Sequence, residues 1–433
     1  MKKYKLGEIA TIISGVSYNT KDIIGDGIRI LRGGNIQEND LKLEDNDVFL
    51  PYSYKNANNQ IQWGDTIIVA STGSSITLGK VATCFADLPN TQIGAFLRII
   101  RPKDKKWAML ISMWLHSSTF KDYILKQAKG TSINNIRNDY LEEFTILCSE
   151  NEINEISGLY LNIANKIALN RAINHNLEAM AKQLYDYWFV QFDFPNENGK
   201  PYKSNGGKMV WNEKLKREIP EGWNVAKVKD IALTYSGGTP TSTNRDYYEG
   251  GDIPWINSGE LNSPIITSTS SYITEIGLNN SSAKLYPQNT VLVALYGATA
   301  GKVSLLSFEA CSNQAVCGVM PNKSIQTTYI RYYLSSLYEH FIALSSGSAR
   351  DNISQDTIKN TTLPIPQHDI LRNYSDIVNP IVNKIIANQH ELELLTKQRN
   401  VLLPLLMNGQ ASVNYDLLFV LLLIFCIIRL KIL

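Results

Sequence analysis

The stretch GDTIIVASTGSSITLGKVAT, residues 64–83, has a second version in QNTVLVALYGATAGKVSLLS, residues 288–307. Each sets a β-branched run before a Gly, a short polar stretch and then Gly-Lys-Val. The neighbouring segments are doubled too, in the same order. KLGEIATIISG (5–15) pairs with KVKDIALTYSG (227–237), and ILRGGNI (30–36) sits where PWINSGEL (254–261) does later. GTSINNIRNDYLEEFTI (130–146) matches GSARDNISQDTIKNTTL (347–363), and HNLEAMAKQL (175–184) matches HELELLTKQR (390–399). The offset drifts from 222 to about 225 and down to 215, as loop insertions would produce. The chain is therefore a duplication of one long unit, far longer than a solenoid repeat.

Each unit has two unlike parts. The first carries short β-branched runs, TIIVA (66–70), FLRII (96–100) and TVLVALY (290–296), broken by Gly, Asn and Ser clusters. These read as strands, and WAMLISMWLHSS (107–118) and TYIRYYLSSLYEHF (328–341) as helices. The class is mixed α/β, in two globular parts. The second part of each unit is one long amphipathic helix. Apolar residues recur at Ile156, Tyr160, Ile163, Ile167, Ile173, Leu177, Met180, Leu184 and Tyr187. The later copy reads Leu371, Tyr374, Val378, Ile381, Ile385, Asn388, Leu392, Leu395, Arg399 and Leu402. Steps of three and four make a heptad seam, with Asn388 and Arg399 as register devices or docking points. Pro380 kinks this helix or marks the first turn of its main segment. Such a helix spans about 60 Å, so each is expected to pair with the other rather than lie on its own domain. Between the units, the Pro, Gly and Asn clusters of residues 192–223 read as a linker.

The Gly-Lys pairs are not phosphate cradles. A nucleotide-binding loop needs G-x-x-x-x-G-K-[ST], so that amides wrap phosphate and the hydroxyl reaches Mg²⁺. Here five residues separate Gly73 from Gly79 and three separate Gly297 from Gly301, and Val81 or Val303 follows the Lys. The better reading is a strand, a polar turn, and a second strand beginning at the Lys. Such a turn would present backbone amides and one cationic tip to a ligand, or be a plain hairpin with Lys80 and Lys302 guarding the edge. No H-E-x-x-H, G-x-S-x-G or G-x-G-x-x-G opening a helix is present, and the five histidines are scattered. No catalytic or metal-binding residues emerge.

Composition fits an ordinary folded protein: 433 residues, 44% apolar, 19% charged and net charge +2. Lys plus Arg against Asp plus Glu is 18 to 15 over residues 1–148 and 9 to 11 over 221–365, so neither globular part advertises nucleic-acid binding by charge. The five cysteines lack metal-ligand spacing, and Cys311 and Cys317 read as buried strand filler in a reducing compartment. The start MKKYKLGEIA has no apolar signal region, so the expected location is the cytoplasm.

Several stretches carry a family resemblance: ANKIALNRAINHNLEAMAKQLYDYWFVQFDFP (164–195), GKMVWNEKLKREIPEGW (207–223), SGGTP (236–240) and KQRNVLLPLLMNGQ (397–410). Over about residues 1–410 the chain resembles the specificity subunit of type I restriction-modification systems. The resemblance implies target recognition domains at 1–148 and 221–365, each reading half of a bipartite double-stranded DNA target. It implies long helices at 149–192 and 366–409 that pair as an antiparallel coiled coil, a linker at 193–220, and a pseudo-twofold internal repeat. Two modification (methyltransferase) subunits would dock on the helices, and two restriction subunits would join them. The chain would hold no cofactor of its own; S-adenosylmethionine, ATP and Mg would belong to the partners. Residues 410–433 depart from the family. Leu417 to Ile428 are twelve consecutive apolar residues, short of the ~20 that span a bilayer. This tail looks like an extension past the usual family end, and no membrane is expected.

DNA contact is expected at Arg32, Ser71, Thr72, Lys80, Lys129, Thr131 and Arg137, and at Arg245, Tyr296, Lys302, Ser348 and Arg350. These lie in the repeated Gly-rich turns, where short side chains bring amides near phosphate and Arg forks can meet guanine edges. Partner docking is expected at Leu177, Leu184, Tyr187, Leu392, Leu395, Arg399 and Leu402. A stand-alone or allele-switching DNA-binding scaffold, or a purely structural coiled-coil adaptor, are the competing readings.

Overall fold

The computed structural model describes residues 2–37, 40–43, 47–73, 77–128, 135–148, 150–345 and 352–407. The chain divides into two compact units, residues 1–169 with 393–433, and residues 170–392.

In the first unit, the β-branched run becomes the strand Thr66–Val69 inside a four-stranded antiparallel sheet. Its order is Ala10–Ser14, Leu97–Pro102, Thr66–Val69, Val81–Thr83. All four residues of Thr66–Val69 are buried, because both faces of the strand are covered. Ile68 and Ile100 face the helices Ala108–Leu115 and Ser118–Ala128, packing with Leu110, Ile111, Trp114 and Phe120. Ile67, Val69 and Ile99 face the opposite way, toward Leu31, Ile36, Ile61 and Ile93. A strand covered on both faces loses polar alternation, which is why the run reads as continuously apolar. Each such side chain contributes about 1.5–3 kcal/mol by leaving water. A second sheet runs Val48–Leu50, Ile28–Leu31, Leu88–Ile93, Gln60–Ile61, with its central pair parallel. The first strand, Lys2–Lys5, pairs antiparallel with Thr145–Cys148, which draws the two ends of the globular part together.

The second unit repeats this plan. Its main sheet is ordered Ala232–Ser236, Val316–Pro321, Val291–Ala294, Val303–Leu306, with Ile265–Ile266 added in parallel at the edge. A smaller sheet runs Tyr272–Ile273, Ile253–Ile256, Cys311–Ser312, again with a parallel pair. Asn224–Lys227 closes on Thr362–Ile365 as Lys2–Lys5 closes on Thr145–Cys148. The class is mixed α/β, twice over.

The last glycine of each SG pair explains itself here. A Cβ on Gly15 would stand 2.1 Å from the Gly94 carbonyl oxygen, and one on Gly237 would stand 2.2 Å from that of Ser312. Backbone meets backbone at this crossing, so only glycine fits.

The long helices are Glu150–Tyr185 and His368–Met407, the latter running unbroken through Pro380. Within the second unit they pack antiparallel: Asn170 Nδ2 donates to Glu391 Oε2 at 2.9 Å, and Asn174 Nδ2 to the Ile385 carbonyl at 3.4 Å. Leu371, Tyr374, Val378, Ile385, Asn388 and Leu392 are buried, as their spacing predicts. The earlier helix differs by one position. Ala181 and Tyr185 are buried while Met180 and Tyr187 are 45% and 38% exposed. A heptad assumes 3.5 residues per turn, and a straight helix drifts away from it by about 20° per heptad. A small Ala at the contact also lets the backbones approach.

The helix ends in a π-turn, Asp186–Val190, after which Phe192 takes φ 64° and reverses the chain. Residues 192–223, read above as a linker, are ordered by aromatic packing. Phe189 lies 4.7 Å from both Tyr329 and Tyr374 by ring centroid. Phe194 stacks on Tyr202 and Trp223, and Met209–Asn212 forms a hairpin with Arg217–Pro220. Pro, Gly and Asn set its turns, but the aromatics between them supply a core.

One ion pair joins this core to the helix. Arg331, 2% exposed, donates through Nη2 to Glu178 Oε1 at 2.6 Å. The network is incomplete: among the described residues, Arg331 Nε, Glu178 Oε2 and the Tyr374 hydroxyl lack partners.

Three outcomes are expected. Gly237→Ala should lower unfolding stability by about 1–3 kcal/mol, as a forced backbone shift costs, seen as an earlier denaturant midpoint. Glu178→Ala strands a buried guanidinium and should cost about 3 kcal/mol. The double variant Glu178→Leu with Arg331→Met should recover most of that loss in the same measurement, because it removes both charges.

Candidate nucleic-acid interface

The polar turns grow out of the sheet in the same way in both units. In the first, the chain leaves Thr66–Val69 at Ala70, whose N–H donates to the Phe96 carbonyl and whose carbonyl accepts from Ile136 N–H. In the second, Leu295 donates to the Ala315 carbonyl and accepts from Ile353. Ser71 then bridges Asn135, as Tyr296 bridges Asn352. On the return, Val69 bonds the Lys80 carbonyl and Ala294 bonds that of Lys302. Three loops from distant parts of the sequence are thereby held side by side.

The flanking turn is matched as closely. Arg32 N–H donates to Asn35 Oδ1 at 2.8 Å, and Asn257 N–H donates to Glu260 Oε1 at 2.9 Å. Gln37 Nε2 reaches the Gly34 carbonyl and Asn262 Nδ2 that of Gly259, each three residues back. Asn35 is itself buried and donates to Asp47 and to the Lys42 carbonyl. It holds the Arg32 turn rigid while the Arg32 side chain stays exposed.

The Gly-Lys pairs have a conformational explanation. Gly79 and Gly301 take φ 74° and 79°, a left-handed backbone that a β-carbon disfavours. Their amides are already spent: Gly79 N–H donates to Val69, Lys80 to Thr77, Gly301 to Ala294 and Lys302 to Thr299. The expected presentation of these amides to a phosphate is therefore corrected. What the turns offer is side chains.

The structure brings Arg32, Ser71, Thr72, Lys80 and Arg137 to neighbouring loops of the first unit. Gly94 N–H binds the Leu31 carbonyl beside Arg32, and Ser71 N–H binds the Phe96 carbonyl. Thr72 Oγ1 and Thr77 Oγ1 share a hydrogen bond of 2.8 Å. Arg137 clasps Asp139 through Nε and Nη2 at 3.0 and 2.6 Å, so its fork must open before it can meet a base. Among the described residues, Arg32 and Lys80 have no ion-pair partner. They are the two cations of this cluster most ready for phosphate.

In the second unit, Tyr296 is partly buried and Lys302 Nζ donates to Asn262 Oδ1 at 2.6 Å. Arg245 stands elsewhere. Its turn packs on the Glu275–Asn279 helix through Thr274, and its side chain, 84% exposed, lies 3.7 Å from Glu249. Lys129, Thr131, Ser348 and Arg350 lie outside the described residues. The sequence reading missed Asn35, Asn135, Asn257 and Asn262, whose signal was the Asn in each doubled turn. It also missed Phe96, read as the head of a strand that in fact begins at Leu97.

On the long helices, Leu177 and Leu184 pack against the protein's own core, and Leu392 is buried. Leu395 is half-buried, and the side chains of Arg399 and Leu402 lie outside the described residues. Among the described residues, the large apolar side chains these helices expose are Leu169, Met180, Ile377 and Leu394, with Tyr187 and Val190 on the π-turn.

Burial pushes the thiols of Cys84, Cys311 and Cys317 up to about 11, 12 and 12, so they are held as neutral filler. Among the described residues no group of three or more His, Cys, Asp or Glu could hold a metal ion. Among them also, no helix is long and apolar enough to cross a membrane.

Comparison with known proteins agrees with this architecture. The family model for the type I restriction modification DNA specificity domain matches residues 220–397. The specificity subunit of the type I restriction enzyme MjaIX from Methanocaldococcus jannaschii is 26% identical over 345 residues, 79% of this chain and 77% of that protein. The HindI specificity subunit from Haemophilus influenzae is 24% identical over 477 residues, 94% of this chain and 99% of that one. In fold, the crystal structure of the type I restriction-modification S subunit from M. genitalium matches with a TM-score of 0.54 at 14% identity, covering 95% of this chain and 96% of that one. With two copies of one mixed α/β unit and two long helices, the chain is similar along most of its length to specificity subunits of type I restriction-modification systems, and its residues 220–397 match their DNA specificity domain.

Proposed function

We propose that this chain is the sequence-reading subunit of a type I restriction-modification complex, with each globular part reading one half of a bipartite DNA target. The observation that carries this is the doubled loop station at Ala70 and Leu295, which holds the same three loops together in both units. One frame presents different side chains in each copy, Arg32 and Ser71 in one and Asn257 and Tyr296 in the other, beside a lysine common to both, Lys80 and Lys302. Two readers of this kind suit two different half-sites. In this reading residues 1–148 and 221–365 are the recognition domains, and 149–192 and 366–409 are the spacer helices. The chain works in the cytoplasm.

Two modification subunits dock on the helices, and two restriction subunits join them. Leu177 and Leu184 pack on their own core and Leu392 is buried, so docking falls to the exposed side chains beside them, Met180 and Tyr187 first. Base methylation, ATP-driven work, and the S-adenosylmethionine, ATP and Mg²⁺ they use belong to those partners. This chain supplies recognition and geometry.

The test is methylation mapping with the chain co-expressed beside its modification subunits. Exchanging residues 221–365 for the same part of a relative should change one half of the methylated sequence and leave the other intact. A chain that assembles with its partners but yields no sequence-dependent methylation would instead be a structural adaptor. The helices should set the gap between half-sites. One heptad added to both helices lengthens the spacer by about 10 Å, roughly three base pairs at about 3.4 Å each. The preferred gap should widen by that amount with both half-sites unchanged. An unaltered gap in a complex that still assembles would assign the spacing to the partner proteins.

A further inference from the structure

We propose that Phe96 is a base-contacting wedge of the first globular part, an apolar side chain that enters the groove of the first half-site. This rests on the reading of the chain as a DNA specificity subunit. At 68% exposure, Phe96 is the most exposed large hydrophobic side chain among the described residues. Its position in the repeat is taken by Ala315, 4% exposed, whose carbonyl accepts from Leu295 as that of Phe96 accepts from Ala70. The backbone role of this position therefore needs no aromatic ring. The ring is an addition confined to one unit.

It is also rigidly placed. Arg98 Nη1 donates to the carbonyls on either side, Ala95 and Leu97, both at 2.8 Å, and its Nε donates to Asn138. Gly94 N–H is tied to Leu31 beside Arg32, and Ser71 N–H is tied to Phe96 itself. The turn that carries the ring is thus bonded to the strand leading into the exposed Arg32 on one side and to Ser71 on the other. An exposed phenyl ring on a turn held beside Arg32 and Ser71 suits DNA, where cations take phosphates while an apolar wedge meets a thymine methyl or slips into an unstacked step. Little ordering entropy is lost when the backbone is already held.

The experiment uses the complex assembled with its modification subunits, binding duplexes that carry the full target or a base change in one half-site. Phe96→Ala should weaken binding to the full target about ten- to a hundredfold, as losing a buried Phe contact does. It should flatten discrimination at bases of the first half-site and leave the second unchanged. The salt dependence should keep its slope, because no phosphate contact is lost. Phe96→Leu should recover part of the affinity. Unchanged affinity and preference in Phe96→Ala would overturn the proposal, and so would lost assembly with the partners, which would place the ring in a protein contact. If the unmodified complex shows no site preference, the reading of the chain as a specificity subunit fails instead.

Discussion

The candidate interface depends on one backbone arrangement, the residue at which the chain leaves its central strand while bonded on both sides. Ala70 and Leu295 each give an N–H to one loop and a carbonyl to another, at 2.7–2.9 Å. Such bonds use backbone alone, so they constrain no side chain in the loops they join. Unpaired backbone groups in this setting would be costly, which keeps the station closed. The result separates stability from specificity. The strands beneath are buried on both faces and resist change, while the residues carried above them can differ between copies as freely as Ser71 and Tyr296 do.

Glycine does the complementary work. Gly15 and Gly237 allow two backbones to cross at a distance no side chain tolerates, and Gly79 and Gly301 turn the chain through left-handed conformations. These four positions explain why the doubled sequence blocks share their glycines while their polar residues vary. A motif that looks like part of a phosphate loop is a turn whose amides are satisfied within the fold.

The helices carry a different constraint. Packing of Ala181, Tyr185, Trp188 and Phe189 against Tyr329 and Tyr374 fastens the end of one long helix to the second globular part and to the other helix within one unit. Polar groups lie in the same contact: Asn170 meets Glu391, and Glu178 meets Arg331. An apolar seam alone tolerates sliding by a heptad. Paired polar groups penalise it, since a slipped register leaves them buried without partners.

The sequence by itself determined the duplication, the mixed α/β class, the two long helices, and most of the seam from Leu371 to Leu392. Order of segments and apolar spacing survive in a linear reading because they are local. It also excluded a nucleotide loop, since that chemistry demands a spacing the chain lacks. Tertiary structure decided what depends on residues far apart in sequence. It showed that the amides of Gly79 and Lys80 are spent on Val69 and Thr77, and that Arg245 sits on a separate turn. The buried helix face runs through Ala181 rather than Met180, a phase that only the partner surface settles. Residues 192–223 pack as an aromatic hairpin because Trp223 and Tyr202 lie where Phe194 can stack between them. Phe96 reads as the first residue of the strand run 96–100. Only the bonds that start the strand one residue later, at Leu97, leave its ring in solvent.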